Sequence, residues 1–185
     1  MRTPDVTDAE LAAKAAAGDG DAFGRLVRRY AEQVRRVSRA LLRDAADADD
    51  AAQDALLACW RHLARYDPER PFGPWLMRIV VNAAHDFRRR RQVRTTEPLA
   101  PDLRADTPGP GTEAERSELR LQLGLALQGL PERQRLAVVL FDAEGYGHRE
   151  IAEVLGVPEG TVRSDVFHGR RALRAALAPY QGEVP

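Results

Sequence analysis

A segment near the C-terminus, residues 144–164, has the pattern of two helices joined by a sharp turn. Gly156 permits the turn, and Pro158 opens the second helix, where its missing N–H group costs little. Three apolar side chains are spaced to face inward from the first helix: Ile151, Ala152 and Leu155. The segment therefore predicts a helix-turn-helix, which restricts this end of the chain to a small helical domain.

The second helix of this motif has a polar outward face. Its members are Glu159, Thr161, Arg163, Ser164, Asp165, His168, Arg171 and Arg174. In DNA-binding domains of this type, the first side chains of the helix reach base edges in the major groove, and later arginines reach phosphates. The pattern favours DNA binding, and a helical module that binds another protein is the alternative.

Three longer segments upstream carry apolar stripes at helical spacing, over residues 21–42, 48–66 and 71–92. In the last segment the stripe consists of Phe72, Trp75, Leu76, Ile79, Val80, Ala83, Ala84 and Phe87. Aromatic residues make up only 6% of the chain, and Ala, Leu and Arg are abundant, so composition also favours helix over sheet. Three amphipathic helices can bury one another, and we expect a helical bundle.

Between these two halves, residues 93–115 lack any apolar period, and acidic residues outnumber basic ones. Helix breakers interrupt the segment: Pro98, Pro101, Pro108, Gly109, Pro110 and Gly111. We expect a flexible, extended linker here. The sequence thus predicts an all-α protein of two small helical domains, residues 1–92 and 116–185, joined by this linker.

The helix expected at residues 71–92 has a polar face opposite its apolar stripe. That face carries Arg78, Asn82, His85, Asp86 and Arg89, and the helix ends in the run Arg88 to Arg91. Such groups can contact base edges and phosphates, so this is a second candidate nucleic-acid surface. A solvated helix terminus is the alternative for the arginine run. Trp75 is expected in the core, or at the border of a pocket for an unstacked base.

The chain has no net charge, with 28 basic and 28 acidic residues, whereas a protein that binds DNA unaided usually has a positive excess. The charge is instead segregated along the sequence. An acidic stretch contains Asp44, Asp47, Asp49, Asp50 and Asp54, and the basic run follows later. This layout suggests one basic and one anionic partner, or, for the acidic stretch, only a solvated helix face.

Several functional classes are disfavoured by the sequence. The chain has no apolar run long enough for membrane insertion and no signal-peptide pattern at its N-terminus, so a cytoplasmic protein is expected. Cys59 is the only cysteine, and the four histidines are scattered, so there is no metal-ligand spacing. The sequence has no phosphate-binding glycine loop, nucleophile motif or pair of catalytic carboxylates. We therefore expect no enzyme, no cofactor and no metal site.

Both halves resemble the sigma-70 family of bacterial RNA polymerase sigma factors, in its two-domain extracytoplasmic-function (ECF) group. The upstream half resembles region 2 of the family through residues 48–54, Trp60, Arg61, residues 72–79, Asn82, Asp86 and Arg88 to Arg90. The downstream half resembles region 4 through residues 130–135, Glu144, Gly145, residues 150–152 and residues 160–164. The two matches follow the order and spacing of the family.

The resemblance implies a division of roles. Polymerase-binding residues, docking on the clamp helices of the β′ subunit, would be Asp49, Asp50, Gln53 and Asp54. Residues at the promoter −10 element, where the duplex opens, would be Trp75, Arg78, Asn82, Asp86, Arg88, Arg89 and Arg90. Residues reading the −35 element as duplex would be Glu159, Thr161, Arg163, Ser164, Asp165, His168 and Arg171. The implied partners are core RNA polymerase, through β′ and β, promoter DNA and an anti-sigma factor.

The resemblance also implies a use for two connecting segments. The loop between Tyr66 and Phe72 would help to form a pocket for a flipped base, and the linker would thread through the polymerase toward its active-site cleft.

The chain departs from the family pattern at several positions. Basic residues are common where it has Asp165 and His168, a Leu-His pair is frequent where it has Val166-Phe167, and Gly147 stands in place of a frequent Ser. Asp165 would repel phosphate, yet it can accept a hydrogen bond from a cytosine amino group, which leaves the −35 preference open. A stand-alone helix-turn-helix regulator, with residues 116–177 as its DNA-binding domain, is the alternative function. Such a regulator predicts a sensing or dimerising domain upstream, where this chain instead offers a DNA-facing helix.

Overall fold

The computed structural model of the chain describes the backbone of residues 6–94 and 112–180 and the side chains of residues 6–92 and 118–180. Within these ranges the regular secondary structure is entirely helical. The predicted all-α class is therefore confirmed. The predicted linker falls largely outside the described residues. Its two ends are helical rather than extended, because the flanking helices run to Arg94 and begin at Thr112.

The helices are as follows. The first half contains α1 (Asp8–Ala16), α2 (Gly20–Leu41), α3 (Ala45–His62), a 3-10 turn (Leu63–Arg65) and α4 (Phe72–Arg94). The second half contains α5 (Thr112–Gln128), α6 (Glu132–Val138), a π-helical turn (Val139–Ala143), α7 (His148–Leu155), α8 (Glu159–Leu177) and a 3-10 turn (Ala178–Tyr180). The chain divides into two compact units, one built on α1 to α4 and one on α5 to α8.

The helices of the first unit begin at polar caps that their own sequence supplies. The side chains of Asp19 and Asp44 accept hydrogen bonds from the backbone N–H groups of Ala22 and Asp47, at the starts of α2 and α3. Thr7 forms a reciprocal capping box with Glu10 at the start of α1. Each cap satisfies N–H groups that have no partner within the helix, and caps of this kind contribute about 1 kcal/mol each.

The core of the first unit lies among α2, α3 and α4. Helix α3 contributes small side chains, since Ala48, Ala51 and Ala55 are fully buried, and such residues allow neighbouring helices to approach closely. Cys59 is buried on the same face, and burial raises the pKa of its thiol to about 12. The only cysteine of the chain is therefore a small apolar core residue.

Helix α4 buries a different arc from the one that its sequence predicts. Met77 and Val81 lie outside the predicted stripe but are buried, because α4 packs against both α2 and α3. Conversely, four members of the predicted stripe are only partly buried: Trp75, Ile79, Ala83 and Phe87. The buried arc is therefore rotated toward Met77 and Val81.

The second unit contains the predicted helix-turn-helix. Gly156 has a φ of +66° at the end of α7, which is the left-handed conformation that the turn requires. Pro158 then caps α8, and Ile151 and Val162 are fully buried on either side of the turn. Ala152 and Leu155, which were expected to face inward, are partly buried.

Helices α6 and α8 pack closely in this unit. A Cβ atom built on Gly169 in α8 would lie 2.6 Å from Cγ2 of Val138 and 3.3 Å from the carbonyl oxygen of Gln134, both in α6. Only glycine allows this approach, and α8 presents Val162, Val166 and Leu173 along the same buried side. The contact fixes which face of α8 remains exposed.

None of the helices in the described ranges has the length and apolar character needed to cross a lipid bilayer.

Gly169→Ala should destabilise the second unit, because the added methyl group overlaps a β-branched side chain and approaches a backbone carbonyl. Overpacking of this kind costs about 1–3 kcal/mol, whereas alanine gains only about 1 kcal/mol over glycine inside a helix. The matched control is Gly124→Ala in α5, where a Cβ atom meets no other atom within 4 Å. Thermal unfolding should show a lower Tm for the first variant and an equal or higher Tm for the second. Stabilisation by both substitutions would contradict the packing argument.

Candidate nucleic-acid and partner interfaces

Helix α4 carries the first predicted nucleic-acid surface. Arg78, Asn82, Asp86 and Arg89 are exposed or partly exposed, as helical spacing predicted, and His85 is partly buried among them. Asp86 pairs with Arg89 one turn later. The face is therefore accessible along its length and combines amide, carboxylate and guanidinium groups.

An aromatic cluster stands at the start of α4. The ring of Trp75 lies 5.2 Å from that of Tyr66 and 5.5 Å from that of Phe72, and Tyr66 and Phe72 are 5.3 Å apart. The hydroxyl of Tyr66 donates a hydrogen bond to the carbonyl of Arg70, which closes the loop before α4. Trp75 is partly buried, so it lies at the edge of the core. This agrees in part with the expected core position, and the pocket for an unstacked base stays a prediction.

The arginine run and the acidic stretch, far apart in sequence, meet in the first unit. Nη2 of Arg90 lies 2.8 Å from Oδ2 of Asp54, and Arg91 pairs with Asp47. A groove of about 600 Å³ lies between α3 and α4 at this place. Its lining includes Asp54, Arg61, Asn82, Asp86, Arg89 and Arg90. The two charge blocks are thus neighbours, which the sequence pattern did not indicate.

The predicted polymerase-binding residues share one side of α3 but differ in their surroundings. Asp50 and Gln53 are exposed. Asp49 is half-exposed, and its Oδ1 lies 3.6 Å from Nε of Arg35 and 3.6 Å from Nη2 of Arg39 on α2. Asp50 and Gln53 therefore form the most accessible part of this set, whereas Asp49 and Asp54 also hold ion pairs within the unit.

The recognition helix α8 carries the second predicted nucleic-acid surface. Arg163, Ser164, His168, Arg171 and Arg174 are exposed, and Glu159 and Thr161 are partly buried. In the first turns of the helix, Nη2 of Arg163 donates to Oε1 of Glu159 at 2.6 Å. Through this hydrogen bond first, and then by its charge, Arg163 lowers the pKa of Glu159 below its ordinary value.

The predicted outward position of Asp165 on this surface is wrong. Asp165 was expected to point outward, but only 5% of it is exposed. Its carboxylate accepts hydrogen bonds from Nε of Arg133 at 2.5 Å and from Nη2 of Arg133 at 3.4 Å. The reason is geometric: Asp165 lies on the flank of α8 that packs against α6, where Arg133 neutralises its charge. A direct contact between Asp165 and a base edge is therefore not supported.

A basic and aromatic cleft on the second unit was not predicted. It has a volume of about 380 Å³, and its lining includes Phe141, His148, Arg163, Phe167, Arg171 and Arg174. Phe167 is 62% exposed, and the rings of Phe141 and His148 are 4.5 Å apart. The guanidinium of Arg170 lies 4.8 Å from the centre of the Phe141 ring and also pairs with Asp142. Helical spacing on α8 places Phe167 on the outward side with Arg163 and Arg171, so the sequence could have indicated this residue. Phe141 and His148 belong to other elements, and no sequence pattern connects them with α8.

The described ranges hold no group of three or more His, Cys, Asp or Glu side chains arranged to bind a metal ion.

Comparison with protein-family models places two matches on this chain. The model of Sigma-70 region 2 matches residues 26–94, and the model of Sigma-70, region 4, matches residues 120–173. The first range contains α4 with its polar face, and the second contains α8 as far as residue 173, including the exposed Arg163 and Arg171.

The chain is similar over most of its length to named sigma factors and to a solved structure. The ECF RNA polymerase sigma factor SigM of Mycobacterium tuberculosis is 39% identical over 171 residues, which cover 92% of this chain and 85% of that protein. RNA polymerase sigma factor NccH of Alcaligenes xylosoxydans xylosoxydans is 36% identical, and the match covers 98% of this chain and 100% of that protein. The solved structure of CnrH in complex with the cytosolic domain of CnrY has a TM-score of 0.69 at 32% identity, covering 93% of this chain and 97% of that one.

Arg163→Gln should raise the pKa of Glu159 toward the ordinary value of about 4.3 for a glutamate, because the hydrogen bond and the charge that favour the carboxylate are removed. In the native protein this pair stabilises the folded state when the pH is above the ordinary pKa of glutamate. That stabilisation is lost as the pH falls through the lowered pKa of Glu159. Carboxyl carbon shifts in an NMR titration measure the midpoint directly. Arg171→Gln is the control and should leave the Glu159 midpoint in place. An identical midpoint in all three proteins would refute the assignment.

Proposed function

Since the chain belongs to the ECF group of the sigma-70 family, we propose that it is a sigma factor: it binds core RNA polymerase and directs initiation at specific promoters. The observation that carries this function is the occurrence of regions 2 and 4 in one chain, in order, each with an accessible polar helix face. The protein would open the −10 region and read the −35 element, catalyse no reaction itself and act with the polymerase in the cytoplasm.

Each unit would then carry one part of promoter recognition. The domain at residues 1–92 would bind polymerase and the −10 element, the linker at residues 93–115 would pass through the polymerase, and the domain at residues 116–185 would bind the −35 element. Zero net charge supports a protein that depends on polymerase to hold DNA, because nucleic-acid affinity rests largely on cationic contacts to phosphates.

Polymerase binding is assigned to α3. We expect Asp50 and Gln53 to contribute most, because their side chains are exposed to a partner. Asp49 and Asp54 would join them by exchanging exposed intramolecular ion pairs for intermolecular ones. Exposed pairs contribute only about 0–1 kcal/mol, so this exchange costs little.

Contacts to the −10 element are assigned to the start, polar face and end of α4: Trp75, Arg78, Asn82, Asp86, Arg88, Arg89 and Arg90. Trp75 supports a flipped-base pocket in this region because its ring lies at the edge of the core, beside Tyr66 and the loop before α4. Unstacking a base costs a few kcal/mol, and a preformed aromatic site can offset that cost selectively.

Contacts to the −35 element are assigned to α8. The set is Glu159, Thr161, Arg163, Ser164, His168 and Arg171, without Asp165. Arg163 and Ser164 are exposed in the first turns of the helix, the part that reaches base edges in such domains. Glu159 would compete with phosphate for Arg163, so DNA binding would require this pair to rearrange.

An anti-sigma factor is a further proposed partner. CnrH, which is 32% identical to this chain and covers 93% of it, was solved in complex with the cytosolic domain of CnrY. Helix α5 of this chain exposes Leu119, Leu121, Leu123 and Leu125, which leaves apolar surface available for a protein partner.

Run-off transcription from a promoter library tests the function. Core polymerase with this protein should initiate at a defined set of promoters that share two elements, and core polymerase alone should not. Absence of initiation, together with duplex binding by the protein alone, would favour the stand-alone regulator instead.

Replacing Arg88, Arg89 and Arg90 together with alanine should reduce promoter opening at least about tenfold, because the loss of even one charge-assisted contact to the strand costs about 1.5–3 kcal/mol. Affinity for core polymerase should change far less. Permanganate reactivity of unpaired thymines measures opening, and fluorescence anisotropy with labelled protein measures polymerase binding. A matched control removes three exposed cations from the same unit: Lys14, Arg25 and Arg28. Equal loss of opening and polymerase binding would contradict the assignment of the run to DNA.

Asp50→Arg should weaken binding to core polymerase about tenfold, because it introduces a like charge at the surface proposed to meet a basic partner. Asp50 is the cleanest position to test, since Asp49 lies beside Arg35 and Arg39 and its reversal would also strain the fold. Asp21→Arg, at an exposed site on α2, is the control. If the two variants bind core polymerase equally well, the acidic stretch is only a solvated face.

A further inference from the structure

The ion pair between Arg133 and Asp165 joins a buried anion to an accessible cation. Asp165 is 5% exposed, whereas the side chain of Arg133 is 54% exposed. The carboxylate is held by Nε and Nη2 of the guanidinium, which leaves other N–H donors of that group available to an acceptor in solvent. Seen from the solvent, the pair is a dipole with its positive end outward.

The pair lies beside the recognition surface of α8. Thr161 and His168 lie one turn before and one turn after Asp165, so helical geometry places all three along the same side of the helix. Asp165 therefore anchors Arg133 next to two side chains assigned to the −35 element. Although Arg133 belongs to α6, its guanidinium extends the surface that α8 presents.

Local packing restrains the position of the Arg133 guanidinium. Gln134, the residue after Arg133, lies at the close contact with Gly169 through which α6 packs against α8. Two hydrogen bonds then restrict the guanidinium itself. A cation that is held in place before binding loses less side-chain entropy when it contacts an anion than a free one does.

We propose that Arg133 contacts a backbone phosphate beside the −35 element and that Asp165 is the positioning residue that aims it. The proposal rests on the function assigned above to the second unit, and it replaces base reading by Asp165 with support for a phosphate contact. Arg133 adds affinity without distinguishing bases, because phosphate contacts fix the register of a protein on the duplex but carry no sequence information.

The test uses the full chain bound to core polymerase and a promoter with a duplex −35 element. Single methylphosphonate linkages, which remove the charge of one phosphate each, are placed in turn along both strands around this element. The decisive variant is the double substitution Arg133→Gln with Asp165→Asn. It preserves the net charge of the protein and allows a neutral hydrogen-bonded pair, so neither long-range charge nor a buried unpaired carboxylate confounds the result.

For the unsubstituted protein, we expect one phosphate beside the −35 element at which neutralisation weakens binding about tenfold. In the double variant the same linkage should have no effect. Its affinity should fall by a similar factor for every −35 sequence, and the slope of log affinity against log salt should decrease by about one. A double variant that keeps the full methylphosphonate profile would overturn the proposal and leave the pair a structural contact.

Asp165→Asn alone tests the positioning role, and also serves if the double variant does not fold. It retains Arg133 but replaces its charged anchor with a neutral one. In this variant the methylphosphonate linkage should still weaken DNA binding, but by a smaller factor than in the unsubstituted protein. An unchanged factor would refute positioning by Asp165.

A separate control tests the proposed function itself. If the unsubstituted protein binds a native and a scrambled −35 element equally well, the proposed function is contradicted.

Discussion

The close packing of α8 against α6 determines what the second unit can do. One side of α8 is committed to the core through Val162, Val166 and Leu173, and Gly169 allows the two helices to approach until a methyl group no longer fits between them. The rotation of α8 about its axis is therefore fixed. Arg163, Ser164 and His168 face outward as a result of this contact, and Asp165 is brought to Arg133 by it. The recognition surface is thus a consequence of core packing.

In the first unit the organising feature is charge pairing at the surface. Asp54 meets Arg90 and Asp47 meets Arg91, so the acids of α3 partly neutralise the bases at the end of α4. The side chains of Asp54 and Arg90 are about half exposed, whereas those of Asp47 and Arg91 are more buried. Exposed pairs are weak and sensitive to salt. In the free protein these pairs neutralise part of the arginine run, and a partner with well-placed charges can replace the exposed one.

Much of this architecture was predictable because its signals are local. Helical periodicity located the long helices, and the glycine between α7 and α8 marked a turn that needs positive φ. The polar face of α4 also followed from spacing alone. What could not be predicted depends on contacts between distant parts of the chain. The sequence predicted an exposed Asp165 because its partner, Arg133, lies 32 residues away. It left Met77 out of the buried stripe because the burial of α4 depends on two neighbouring helices. The cleft at Phe141 and Phe167 likewise needed the three-dimensional positions of separate elements.

The burial of Cys59 makes the chain well suited to single-site labelling. The chain has one cysteine, its thiol lies inside the alanine-lined core, and its raised pKa keeps it protonated and unreactive at neutral pH. A cysteine introduced at an exposed position would therefore react alone with a maleimide dye, with no need to remove the native residue. With one introduced cysteine and one dye on each unit, energy transfer would report the distance between the two units when the protein binds polymerase, promoter DNA or an anti-sigma factor. The amino-acid sequence does not indicate this distance.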